Sequence, residues 1–406
     1  MRGRHGIRGR HGRRRGGGIL SAASGPSLWP ALVDARCAQV EAAGQWRRPR
    51  PFDARGPEGT LTEEGRRVVA FASNDYLGLS AHPAVVVAAH EALDRWGNGS
   101  GASRLVTGSR PVHHELEDEL AEYKASERAV VFPTGYTANL GVLTTFGDVG
   151  VRICSDELNH ASIVDGARLA NAEIAVYRHA DADHLDVLLR DAKGPAIVVT
   201  DLVFSMDGDV APVEAIAERC RRHGALLVLD EAHAVLGPDP APWLRGVDAL
   251  RVGTLSKALG ALGGFVAGPA RFIELLVNRA RSYIFTTAPT PPDAAAALAA
   301  VRLVRSPEGE RLRARLANHV ERVAPGHPSP IVPVVLGEEA AAVAASEALL
   351  AQGLWVPAIR PPTVPRGTAR LRVTLSAAHS AAHVAMLVAA LGALRGASVP
   401  GAAPVA

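Results

Sequence analysis

RVGTLSKALGALGG, residues 251–264, carries a short apolar run into Thr254, Ser256 and Lys257 and then into small residues. An amine with hydroxyls just before it suits a covalently anchored cofactor, the amine forming a Schiff base and the hydroxyls meeting a phosphate. The same string also reads as a capped helix start followed by an ordinary surface lysine. Its meaning therefore depends on what the neighbouring strands carry at their ends.

Working outward, ALLVLD (225–230) is an apolar strand that ends in Asp230, with Glu231 and His233 directly after it. PAIVVTD (195–201) has the continuous apolar character of a buried strand, and the polar turn that follows holds Ser205. RICSDELNHASIVDGARLA (152–170) reads as a strand leading into a helix, with His160 at the loop-to-helix start, and AEIAVYRHAD (172–181) as a further short strand. Residues 128–132 form a strand that runs straight into PTGYTAN (133–139). A strand, a glycine turn and a helix start present free backbone N–H groups to an anion. Strands alternating with helices predict an α/β fold with a mainly parallel sheet. In such folds the functional loops leave the carboxyl ends of the strands. Tyr136, His160, Ser205, Asp230, His233 and Lys257 all sit just after candidate strands, which favours the anchored-cofactor reading.

The flanks have a different texture. Residues 28–46 read as a helix ending in the basic cluster Arg47, Arg48 and Arg50, and 68–72 as a short strand. SNDYLGLS (73–80) reads as a polar turn carrying an aromatic, and 83–96 as a helix. A Gly- and Ser-rich loop then leads to a helix from about Val112, where His113 and His114 suit a structural or capping role. Beyond about Ala288, helices at 290–302, 307–323, 340–352 and 381–394 alternate with short strands and a proline loop, a smaller α+β domain. The expected division is a basic tail (1–27), an N-terminal segment (28–75), a large domain (76–287), a small domain (288–395) and a tail (396–406).

The chain has 406 residues, 48% hydrophobic and 21% charged, a globular balance. Its formal charge of +3 is concentrated in Arg2, Arg4, Arg8, Arg10, Arg13, Arg14 and Arg15. The remainder has no continuing basic patch or interleaved aromatics, which argues against nucleic acid as the main partner. Cys37, Cys154 and Cys220 show neither metal-ligand spacing nor a disulfide framework and suit a reducing cytosol. No apolar run is long enough to span a membrane, and no signal-peptide apolar region follows the arginines. A cytoplasmic protein bound to neither membrane nor metal is expected.

Pyridoxal phosphate chemistry makes four demands that such strand ends can meet. It needs a lysine for the aldehyde, an acid facing the ring nitrogen, donors for the phosphate and a flat group over the ring. Lys257 and Asp230 answer the first two. Gly135, Tyr136, Thr254 and Ser256 offer phosphate donors. His160 suits the ring cover, while His233 or Ser205 suits the phenolic oxygen. Asp230 also reads as a cap after its strand, and either histidine as a structural residue.

The motifs taken together resemble the α-oxoamine synthases, pyridoxal phosphate enzymes of fold type I. The resemblance runs from about Leu28 to Leu394. It rests on FASNDYLGLS (71–80), GYTAN (135–139), LNHASIVDG (158–166), FSMDGD (204–209), LDEAH (229–233), GTLSKALG (253–260) and IRPPTVPRGTARLRVTLSAAH (359–379). It implies a seven-stranded, mainly parallel sheet in the large domain and pyridoxal 5'-phosphate on Lys257. Asp230 would pair with the pyridine nitrogen, His160 stack on the ring, and Ser205 and His233 serve the ring oxygen. Gly135, Tyr136 and Thr254 would help seat the cofactor. By the same resemblance Arg372 receives the amino-acid carboxylate, Thr363 contacts the acyl substrate, and Arg47 lies near the incoming acyl group. The last motif is most similar to family members that condense L-alanine with pimeloyl-CoA or a pimeloyl carrier protein. Sister enzymes take glycine or serine with other acyl thioesters. A homodimer is implied, with FTT (285–287) reaching a neighbouring cofactor phosphate. The loop after His233 departs from the family in being short and rich in proline.

Overall fold

A computed structural model describes residues 27–396. These form two compact units, one ending at Arg50 and the other beginning at Pro51. The expected basic tail, apart from residue 27, and the C-terminal tail beyond residue 396 lie outside the described residues. The first unit contains helix α1 (Trp29–Ala42), which starts with proline in its first turn and ends at Ala43–Gly44, where Gly44 takes φ +64°.

The second unit starts with an antiparallel meander, β1 (Phe52–Ala54), β2 (Glu58–Leu61) and β3 (Arg66–Ala70), followed by α2 (Pro83–Trp96) and α3 (Pro111–Tyr123). Strands and helices then alternate as β4 (Arg128–Phe132), α4 (Gly135–Phe146), β5 (Arg152–Asp156), α5 (Ala161–Leu169), β6 (Glu173–Tyr177), α6 (Ala182–Arg190), β7 (Ala196–Asp201), α7 (Val213–His223) and β8 (Leu226–Asp230). β9 (Ala249–Thr254), β10 (Gly264–Gly268), α8 (Ala270–Arg279), the single turn α9 (Arg281–Ile284), α10 (Pro291–Val304) and α11 (Pro307–Val323) follow. The C-terminal part consists of β11 (Ile331–Gly337), α12 (Glu339–Ala351), β12 (Leu354–Trp355), β13 (Ala358–Ile359), β14 (Ala369–Thr374) and α13 (Ala381–Gly396).

The expected seven-stranded sheet is present, in the order β4-β10-β9-β8-β7-β5-β6. β10 runs antiparallel to both of its neighbours, and the other ladders are parallel. The carboxyl ends of the remaining six strands therefore share one edge of the sheet. The strand order reverses between β5 and β7, where a doubly wound sheet opens a crevice for ligands. All six residues of β7 are buried, as a strand covered on both faces requires. Ile197, Val198 and Val199 are at most 3% exposed. Full burial of such a side chain is worth roughly 1.5–3 kcal/mol.

β1, β2, α6, β10, α8, α9 and β13 go beyond the sequence reading. β10, GFVAG, is short and bounded by glycine, so neither length nor alternation marks it. Its first residue explains the composition: a Cβ on Gly264 would stand 2.4 Å from the backbone nitrogen of Gly135. Glycine lets the turn into α4 cross directly over the strand. The 28–75 segment contributes β1–β3 to a four-stranded sheet that β12 completes through a parallel pairing with β3. β11, β14 and β13 make the separate sheet of the smaller C-terminal domain. SNDYLGLS is a turn, but Tyr76, Leu77 and Leu79 are buried. Its three large side chains pack inward, and the Asp75 and Tyr76 carbonyls accept from Ser376 and Ala377, a correction to its reading as a polar segment.

Candidate active site

The chain contains three lysines, Lys124, Lys193 and Lys257. Lys124 is committed to an ion pair with Glu231 at 2.6 Å. Lys193 is exposed in the turn before β7. Lys257 alone lies at the shared strand edge, partly buried, with Nζ 2.9 Å from His233 Nε2. Burial lowers its pKa against the opposing pull of Asp230 and Asp201. The turn that presents it is closed locally. Thr254 Oγ1 donates to the Gly263 carbonyl at 3.0 Å, and Leu255 N–H donates to the same carbonyl at 2.9 Å. The Thr254 and Ser256 hydroxyls are 2.7 Å apart.

From Lys257 a hydrogen-bonded chain runs through buried ground. His233 Nδ1 meets the Tyr76 hydroxyl at 2.5 Å, and Tyr76 donates to Asn74 Oδ1 at 3.2 Å. Arg372 donates from Nη2 and Nη1 to the same oxygen at 3.3 and 3.4 Å. The cations at both ends set its direction. Lys257 donates to Nε2, which leaves the His233 proton on Nδ1, directed at Tyr76. Burial first, then the charges of Lys257 and Arg372, hold the pKa of His233 well below the usual imidazole range, so it is neutral. Burial raises the pKa of Tyr76, which stays protonated.

Arg372 is 6% exposed on β14. Its Nε donates to the Ser205 carbonyl at 2.6 Å and Nη1 to Thr374 Oγ1 at 2.9 Å. Among the described residues no carboxylate pairs with it. A buried guanidinium supported only by neutral acceptors is arranged to receive an anion from outside the chain.

A second network surrounds Asp230, which is 5% exposed at the end of β8. Its Oδ1 accepts from Ala232 N at 2.9 Å and its Oδ2 from Asn139 Nδ2 at 2.7 Å. Asn139 also donates to Ser162 Oγ, which lies 2.8 Å from His160 Nδ1. His160 caps α5, and its backbone N–H donates to Asp201 Oδ2 at 2.8 Å. Asp201 lies beside Asp230 in the β7–β8 register. Burial and the neighbouring charge of Asp230 raise its pKa far above the usual carboxylate range.

Gly135 opens α4 under a Thr134 cap, and a Cβ placed on it would stand 3.2 Å from Thr254 Cβ. The expected phosphate donors on the two turns are therefore neighbours. The Tyr136 hydroxyl donates to Asp165 at 2.5 Å, leaving its ring exposed. A neutralisable amine, a buried acid, a helix N-terminus and adjacent hydroxyls on one edge fit an aldehyde cofactor with a basic ring and a phosphate.

The structure thus brings together Gly135, His160, Ser205, Asp230, His233, Thr254, Lys257 and Arg372, with Tyr136 at their margin. Thr363 sits in an exposed turn, its backbone N–H donating to the Arg360 carbonyl, and no hydrogen bond joins it to this set. Arg47 belongs to the other compact unit. Sequence reasoning misses Asn74, Tyr76, Asn139 and Asp201. Tyr76 and Asn139 lie inside quoted motifs, where the signal was a large or amide side chain among small residues. His113 and His114 bear out the structural reading. His113 Nδ1 accepts from Arg110 N and Nε2 meets the Pro289 carbonyl, while His114 faces Glu117. Among the described residues no cluster has metal-ligand geometry, and no helix is long and apolar enough to cross a membrane.

The family described as aminotransferase class I and II matches residues 66–391. An 8-amino-7-oxononanoate synthase of Burkholderia thailandensis is 48% identical over 371 residues, covering 86% of this chain and 94% of that protein. A solved serine palmitoyltransferase from S. paucimobilis, with bound PLP–myriocin aldimine, is 30% identical with a TM-score of 0.84. That match covers 91% of this chain and 98% of the other. The crystal structure of 8-amino-7-oxononanoate synthase from Francisella tularensis is 26% identical with a TM-score of 0.69, over 81% and 97% of the two chains. The chain belongs to the aminotransferase class I and II family, and within it to the 8-amino-7-oxononanoate synthase family of pyridoxal-phosphate-dependent enzymes.

Proposed function

We propose that this enzyme condenses L-alanine with a pimeloyl thioester, of CoA or a carrier protein, releasing CO2 and the free thiol and giving 8-amino-7-oxononanoate. The observation that carries this reading is the chain from Lys257 through His233, Tyr76 and Asn74 to Arg372. It joins an amine of lowered pKa to a guanidinium without a carboxylate partner, the two groups that an amino-acid substrate needs. The relatives named above supply the acyl partner.

When bound, pyridoxal phosphate supplies an electron sink for negative charge at the substrate α-carbon. Lys257 would hold it covalently, and its amine, made less basic by burial, would carry the α-proton. Asp230 would keep the ring nitrogen protonated, with Asn139 fixing one of its oxygens. His160 would cover the ring, and His233 and Ser205 would serve its oxygen side. The N-terminus of α4 at Gly135–Tyr136 and the Thr254 hydroxyl would seat the phosphate. Arg372 would clamp the amino-acid carboxylate bidentately. Thr363 and Arg47 would contact the acyl substrate. The working assembly would be a homodimer.

The test is product identification by mass spectrometry with the holoenzyme. L-alanine, glycine and L-serine are crossed with pimeloyl, acetyl, succinyl and palmitoyl thioesters, on CoA and on carrier protein. Alanine with a pimeloyl thioester is expected to be the preferred pair. Preference for another pair on both carriers would overturn the reading in favour of a sister enzyme.

A further inference from the structure

His179 follows β6 at the functional edge of the sheet, yet it takes no part in the site described above. Its Nδ1 lies 3.0 Å from Asp156 Oδ1 and its Nε2 2.8 Å from Asp209 Oδ2. With a carboxylate on each ring nitrogen, both nitrogens must donate, which requires the imidazolium. Hydrogen bonds to these carboxylates raise its pKa to about 10. Asp156 is itself fixed, accepting from Leu158 N at 2.9 Å and from Ala180 N at 2.9 Å. Ala180 is held at φ +55°, unusual for a residue with a side chain, so this corner is over-determined by its bonds.

The far side of His179 leads to the loop that supports Arg372. Asp209 accepts the imidazolium through its side chain and Phe204 N–H through its backbone carbonyl, at 3.0 Å. The Phe204 ring meets the His179 ring edge to face at 4.4 Å. Phe204 directly precedes Ser205, whose carbonyl receives Arg372 Nε. The loop's other carboxylate, Asp207, is bonded to Arg370, two residues before Arg372 on β14. Gly208 packs the loop tip so closely that a Cβ there would stand 2.0 Å from the Ile331 carbonyl.

We propose that His179 is a positioning residue for substrate binding, holding the 204–209 loop through Asp209 and Phe204 so that the Ser205 carbonyl orients Arg372 toward the amino-acid carboxylate. This rests on the reading of Arg372 given above. The ring nitrogens bond to Asp156 and Asp209 and not to the groups around Lys257, so loss of the imidazolium should weaken amino-acid binding more than it slows chemistry.

The test uses holoenzyme carrying His179→Gln and, separately, Asp209→Asn, with Arg372→Lys as the reference. KM for alanine is expected to rise about tenfold in each loop variant while kcat stays within about threefold, the split that marks lost ground-state binding. Direct titration of alanine through the cofactor's absorbance should show the same loss. If Arg372→Lys leaves alanine binding unchanged, the carboxylate reading of Arg372 fails. If Arg372→Lys weakens binding and neither loop variant does, the positioning proposal alone fails. A fall in kcat with unchanged KM in both loop variants also overturns it. Should His179→Gln not fold, Asp209→Asn carries the test.

Discussion

Lys257→Ala is expected to fold normally, to purify without the visible absorbance of a cofactor Schiff base, and to lose turnover. Two losses combine in this variant. The alternative amines are poorly placed, since Lys124 is paired with Glu231 and Lys193 is exposed before β7. The cofactor therefore loses its covalent anchor. The proton carrier at the α-carbon goes as well, and such a group is typically worth on the order of 10²–10⁴ in rate. Stability should change little, because the substitution removes a partly buried amine whose ionisation burial already opposes. Steady-state rates, an absorbance scan and a thermal melt check the three parts. Turnover at the wild-type level would show that some other group carries the chemistry.

Asp230→Asn is the second large effect. The substitution keeps the shape of the side chain and removes its charge. Asn139 donates to Oδ2 and Ala232 N–H to Oδ1, so two neighbouring donors are already oriented toward a carboxylate. An amide presents one of its own donors to them, and it no longer favours a protonated ring nitrogen. Loss of one preorganised electrostatic contact in a dry site costs about 10²–10³ in kcat. The expected outcome is a fall of that order with the cofactor still bound through Lys257. The companion effect concerns Lys257, whose amine loses the carboxylate that most favours its charged form. Its pKa should therefore fall further. A kcat within a few-fold of wild type would remove Asp230 from the electrostatic role.

The parallel sheet was legible because its strands are apolar on both faces, as in AIVVTD of β7 and LLVLD of β8. Residues placed at the ends of such strands or just beyond them, Asp230, His233 and Lys257 above all, could be assigned to a common edge from chain order alone. β10 was not legible, because Gly264 answers to the backbone of Thr134 and Gly135 passing overhead and Gly268 to Leu250 and Ala249 on β9. Tyr76 was hidden for a related reason. Local polarity in SNDYLGLS gives no sign of Tyr76, which is buried in the core by segments distant in the chain and bonded there to His233. Arg372 was identified only through family resemblance. Its setting is tertiary, made by Asn74, Ser205 and Thr374 from three separate segments. Likewise, nothing local in VYRHAD distinguishes His179 from a surface histidine until Asp156 and Asp209 are brought to either side of it.

The central claim is that the turn after β9 holds the reactive amine of a pyridoxal phosphate enzyme. Borohydride reduction of the native holoenzyme, followed by proteolysis and mass spectrometry, tests it directly by fixing the cofactor to its lysine. The account predicts a single pyridoxyl modification on the peptide containing Lys257. Modification of Lys124 or Lys193 instead, or none on the active enzyme, would contradict it.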